Sequence, residues 1–179
     1  MKRFVILTAI IAALFSSTLV RAQVYVKLNT TLDWRYLPGK TVSTPTFGLG
    51  TGFDLIVAQK IVIGAAFDIS ARYERSNFYR YKPAPMSPYW FYLLSGKAGY
   101  RIRLNTTLPI DLTPHAGAGL YMEPGTEQGK SCNTIMAYAG TESDIMLTKH
   151  MALRARLQII ATPEGRIGFN AGCGLSFLL

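Results

Sequence analysis

The chain has 179 residues, carries 19 lysines and arginines against 10 acids for a formal charge of +9, and is 49% apolar. That length suits a single domain, and two cysteines can neither hold together a small disulfide fold nor, with two histidines, make a zinc site. The basic residues alternate along strand-like stretches instead of clustering, which favours anionic lipid or internal ion pairs over a nucleic-acid partner.

Lys2 and Arg3 precede an apolar run from Phe4 to Phe15, and Val20-Arg21-Ala22 places a small residue before Gln23. This is the pattern of a secretory signal peptide, too short and too early for a spanning helix. Residues 1–22 are expected to be cleaved and 23–179 to form one domain. Lys2, Arg3 and Arg21 leave with the signal and no acid does, so the mature charge is +6 from 16 basic and 10 acidic residues. An exported chain meets little nucleic acid, and Cys132 and Cys173 are expected as two unpaired thiols.

Past Gln23 no apolar run reaches the roughly eighteen residues of a spanning helix, and the chain instead offers eight alternating stretches. The first, Val24 to Leu32, opposes Val24, Val26, Leu28 and Leu32 to Tyr25, Lys27, Asn29 and Thr31. The second, Thr46 to Ala58, sets Phe47, Leu49, Phe53, Leu55 and Val57 against glycines and Asp54. The third, Ile61 to Arg75, is the longest regular one: Ile61, Ile63, Phe67, Ile69 and Tyr73 alternate with Gly64, Asp68, Ser70, Arg72 and Glu74. Successive strand residues point to opposite faces, so each stretch has one apolar face and one of small and charged groups. The fourth, Tyr89 to Leu104, and the fifth, Ile110 to Glu123, continue the pattern, although Pro114 lacks a ladder donor and predicts an edge, a bulge or a later start. The sixth, Thr134 to Leu147, is the least regular; the seventh, Met151 to Ala161, and the eighth, Ile167 to Leu179, restore the period.

Connections alternate in length: Gln59-Lys60, Asn105 to Pro109 and Thr148 to His150 are short, whereas Asp33 to Pro45, Ser76 to Pro88 and Pro124 to Asn133 are long, and of the second set only Thr162 to Gly165 is short. Short periplasmic turns and long external loops are the order of a membrane barrel, and an even strand count agrees. The predicted fold is all-β, an eight-stranded antiparallel up-and-down transmembrane β-barrel. A soluble lipocalin-like barrel with its apolar parity turned inward competes, as a carrier of a small hydrophobic ligand.

The signal peptide, the segment Asp144 to Arg156 that turns and returns, and the closing strand GRIGFNAGCGLSFLL together resemble the small outer-membrane β-barrels of the OmpA and OmpX type over the whole mature region. The resemblance implies outer-membrane localisation, contact with outer-membrane lipid and lipopolysaccharide, and recognition of the last strand by the barrel assembly machinery. Phe177 lies two positions short of the terminal Leu179, where that family usually ends on an aromatic residue.

On this parity the lumen receives Lys27, Arg72, Lys97, Arg101, Arg103, Arg154 and Arg156 beside Asp54, Asp68, Glu74, Asp111, Glu123, Glu142 and Asp144. Buried charges must pair, so a mixed network is expected, either as a structural plug or as the lining of a narrow pore or small-solute transporter. Arg75, Arg80 and Lys82 alternate with Phe78, Tyr79 and Tyr81 in the loop leading to Tyr92. That surface suits an anionic lipopolysaccharide, a glycan or a protein, or else an aromatic girdle at the loop base. His115 reads as a hydrogen-bonded lumen residue and His150 as a turn residue. No catalytic residue, metal site or cofactor is expected, and the function predicted is structural or surface-interacting, in adhesion or envelope integrity.

Overall fold

The computed structural model describes residues 24–36, 46–75, 86–105, 107–123 and 132–179, with the side chains of 72–75, 86–89, 123 and 132 excluded. The signal segment and the loop residues Phe78 to Lys82 lie outside the described residues. So do the side chains of Arg72, Glu74, Arg75 and Glu123.

The strands are β1 Val24–Tyr36, β2 Thr46–Val57, β3 Ile61–Arg75, β4 Met86–Tyr100, β5 Ile102–Leu104, β6 Ile110–Glu123, β7 Cys132–Met146, β8 Met151–Ala161 and β9 Ile167–Leu178. All neighbours are antiparallel, and pairing of β1 with β9 and of β4 with β6 closes the sheet. β4 and β5 are two pieces of one wall strand, so the barrel has eight. Pro114 explains the interruption. β6 pairs Gly99 with His115 and resumes at Ile102 with Leu112, an unchanged register that sets Pro114 opposite Tyr100. Proline has no N–H to give there, and the ladder lapses on the β4 side without a bulge. The edge, bulge or late start expected at Pro114 does not occur.

Closure settles which face is which. Leu49, Leu157 and Ile167 on the outside are 65–67% exposed, while Asp54, Asp111, Glu142 and Asp144 inside are at most 1% exposed. A lipocalin has the reverse arrangement, so the soluble alternative is set aside: an apolar exterior of this extent needs hydrocarbon around it. Aromatic residues pair on that exterior, Trp34 edge-on to Phe169 (4.9 Å) towards the long-loop end and Phe67 stacked on Tyr92 (6.3 Å) midway along the wall.

The first strand runs past Leu32 to Tyr36. Asp33 and Arg35, which the sequence reading put in a loop, are therefore strand residues facing inward.

Candidate functional site: the barrel interior

Alternation delivers one charged or small residue to the lumen every second position, and the register stacks them in levels. Near the short-turn end, Asp111 on β6 is buried and accepts from Arg101 (Nε, 2.8 Å) and Arg103 (Nε, 2.9 Å). Arg103 itself is half-exposed at the rim, with 48% of its side chain accessible, because only three residues of β5 remain beyond the break at Arg101. Its expected place within the buried lumen is corrected accordingly.

The middle level holds three cations and three anions. Arg154 on β8 donates to Asp144 (2.8 and 3.0 Å), reaches Asp54 (3.1 Å) and lies 3.2 Å from Glu142. Lys97 on β4 bridges Glu142 (2.6 Å) and Asp54 (3.0 Å), and Lys27 on β1 donates to Asp144 (2.7 Å). Asn29 and Ser176 complete the carboxylates' hydrogen bonding at 2.9 Å each. Pairing of this density is what lets six charges be buried: an isolated ion there costs several kcal/mol.

Above it a second cluster balances two cations with two anions. Arg156 pairs with Asp33 and lies 3.5 Å from Asp68, and Arg35 lies 3.4 Å from Asp68 on its other side. Asp33 and Arg35 are the members sequence reasoning missed. Trp34 between them continues the outward apolar parity of the first strand, and that was the available signal.

Glycine makes room for these long side chains. A Cβ on Gly64 would come within 2.8 Å of Lys97 Cε, and one on Gly117 within 2.6 Å of the Tyr138 ring. Each glycine is the register partner of the bulky residue on the neighbouring strand, so the small member of the pair leaves room for the side chain of the large one to lie over it.

His115 sits in a separate hydrogen-bonded chain. Its Nδ1 is 3.1 Å from the Thr113 carbonyl and its Nε2 is 2.9 Å from Gln158 Nε2, while Gln158 Oε1 accepts from Asn170 at 3.0 Å. The neutral Nδ1–H tautomer satisfies both contacts. His150 lies in the β7–β8 turn, its Nδ1 3.2 Å from the Leu178 carbonyl.

Towards the long loops the interior becomes apolar. Phe91, Leu93, Tyr121, Met136, Tyr138 and Ile160 form one buried cluster, with Phe91 stacked on Tyr121 at 5.5 Å and Tyr138 hydroxyl donating to the Gly96 carbonyl at 2.9 Å. Parity puts Tyr121, Met136 and Tyr138 on the inward side of their strands but does not place Phe91 and Leu93: in Tyr89 to Leu94 both parities are apolar, so hydropathy cannot assign a face. Among the described residues, the voids beside Asp54 and Lys97 (≈ 20 Å³) and beside Lys27 and Arg101 (≈ 10 Å³), measured for the centre of a water molecule, hold about one water each.

Cys173 is free and exposed on the lipid-facing side; Cys132 falls among the undescribed side chains. Among the described residues no group of three histidine, cysteine or acidic side chains is placed to hold a metal.

No protein-family model matches the chain, and no curated protein matches its sequence. Solved structures do. The chain is similar to Ail, the attachment invasion locus protein of Yersinia pestis, in complex with the heparin analogue sucrose octasulfate (12% identity, TM-score 0.55, 88% of this chain and 99% of that one). It is similar to Neisserial surface protein A (10%, 0.60, 87% and 97%) and to the N-terminal β-barrel domain of Pseudomonas aeruginosa OprF (12%, 0.56, 88% and 100%). Identity this low speaks for architecture alone, and the architecture is that of the small eight-stranded outer-membrane β-barrels.

Proposed function

We propose that the chain is exported by a cleaved signal peptide ending at Ala22 and resides in the outer membrane as a non-enzymatic barrel that interacts with its surroundings through its long loops. The observation that carries this reading is the division between an apolar exterior and an interior cross-linked by Arg154, Lys97 and Lys27. Such a barrel is a rigid platform, and specificity then belongs to what it displays. The charge network and the apolar cluster fill the lumen, which supports a plug over a pore.

The displayed surface is the stretch from Arg75 to Lys82, whose alternating cations and aromatic rings fit a polyanionic glycan, lipopolysaccharide included. Ail, a neighbour in fold, is described in complex with a polyanionic sugar analogue, which supports ligands of that class on such a scaffold. The last strand, through Phe177 and Leu179, is the segment proposed to engage the barrel assembly machinery.

The test uses the folded barrel in detergent on immobilised lipopolysaccharide and on immobilised heparin. Binding to either that drops at least about tenfold in Arg80→Gln/Lys82→Gln, roughly 1.4 kcal/mol, supports the loop as the ligand surface. Binding unchanged in that variant, or absent from the parent, refutes it.

A further inference from the structure

The acids are unevenly distributed along the barrel. Six of the ten line its interior: Asp33, Asp54, Asp68, Asp111, Glu142 and Asp144. Of the other four, Glu74, Glu123 and Glu164 belong by topology to the end that carries the long loops, and Glu127 lies outside the described residues. The turns at the opposite end, 58–60, 105–109 and 147–150, contain no acid. Instead Lys60, Arg103 and Lys149 are exposed there. Asp111, the acid nearest these turns on β6, is buried and already shared by Arg101 and Arg103, and its register partner Asp144 is taken by Lys27 and Arg154. The short-turn end therefore carries more cationic than acidic side chains.

These cations stand where the apolar belt stops. Lys60 precedes Ile61, Arg103 lies between Ile102 and Leu104, and Lys149 follows Leu147 by two positions; those four apolar side chains point outward with 38–48% exposure. At about 3.3 Å per residue each cation is within roughly 7 Å of the last apolar side chain, inside the reach of a lysine or arginine stem. Backbone hydrogen bonds tie the neighbouring turns together, Arg101 N–H to the Lys60 carbonyl at 2.6 Å and Met146 N–H to the Pro109 carbonyl at 3.0 Å. Arg103 is oriented by Asp111 at 2.9 Å. The three cations thus stand at the same end of the wall, along an arc that runs from the β2–β3 turn through β5 to the β7–β8 turn.

We infer that this arc binds the phosphates of anionic phospholipids in the leaflet at the short-turn end. The inference rests on the reading of the chain as a membrane barrel, and it concerns a different end of the molecule from the proposed glycan surface. A phosphodiester headgroup offers the complementary charge, and its acyl chains lie against the apolar belt beside Ile61 and Ile102. Each cation removed lowers the affinity for an anionic headgroup about fivefold.

The full chain, inserted into vesicles of phosphatidylcholine with one-fifth phosphatidylglycerol, is extracted and the lipids it retains are weighed by native mass spectrometry. The parent retains phosphatidylglycerol in excess over its share of the bilayer. Lys60→Gln/Arg103→Gln/Lys149→Gln loses most of that excess, and Arg166→Gln at the other end keeps it. A triple variant with the parent's lipid ratio overturns the inference, as does a parent without preference. The mobility shift of unheated samples on gels reports insertion independently: a parent that fails to insert overturns the membrane reading itself, whereas one that inserts without lipid preference overturns only the arc.

Discussion

Arg154 donates to Asp144 and reaches Asp54 and Glu142, so one guanidinium faces all three carboxylates of the middle level. Removing it leaves Lys27 and Lys97 against three acids, one negative charge in excess in a buried site. Arg154→Met is therefore expected to destabilise the barrel by about 3–5 kcal/mol in urea unfolding, and adding Asp144→Asn to restore balance should recover part of the loss. Equal stability in Arg154→Met and the parent would mean that this charge is not buried. Glu164, in the exposed turn after β8, allows a test by pH. The Thr162 hydroxyl beside it, with hydrogen bonds from Arg166 and Thr134 (3.0 Å each), holds its carboxyl down to about 2 from an ordinary 4.5. A depressed carboxyl stabilises the folded state above its unfolded value, so the contribution is complete above about 4.5 and lost as pH falls towards 2. A carbon-detected NMR titration should find Glu164 ionised at pH 3; a midpoint near 4.5 would contradict the turn geometry.

At the scale of elements, the Val57–Lys60 turn concentrates local strain. Lys60 N–H bonds the Val57 carbonyl at 3.1 Å, and Ala58 and Gln59 both have positive φ, 52° and 61°. Two left-handed residues in succession are what a type I′ hairpin turn requires, and its twist matches the flanking strands. Neither residue suits the conformation, since a Cβ there crowds the backbone. Ala58→Asn/Gln59→Gly should raise stability by about 1 kcal/mol with no change in fold; a decrease would show that the side chains contribute more than the strain costs. The strands themselves were legible because a membrane barrel sorts side chains by parity, and Ile61 to Arg75 runs from end to end as the alternation predicts. Parity failed in two places for physical reasons. At Asp33-Trp34-Arg35, charge resembles a loop although it is inward strand chemistry, and at Phe91 and Leu93 an apolar lumen matches the apolar exterior. Pro114 misled differently. Its missing donor affects the partner strand, whose break at Arg101 no local property of residues 89–104 announces.

The described residues form a cylinder with four interior zones: ion pairs at Asp111, a neutral six-charge layer around Arg154, a neutral four-charge cluster around Arg156 and Asp68, and an apolar cap around Phe91 and Met136 on one side. Side chains alone can fill an eight-stranded barrel, and the voids beside Asp54 and beside Lys27 admit about one water each. All of this assumes a closed barrel in an outer membrane. The direct test is fractionation of expressing cells followed by electrophoresis of unheated and boiled samples. The account predicts recovery in the outer-membrane fraction and a mobility that changes on boiling, as the hydrogen-bonded wall resists detergent until heated. Recovery in the soluble periplasmic fraction with no mobility change would contradict it.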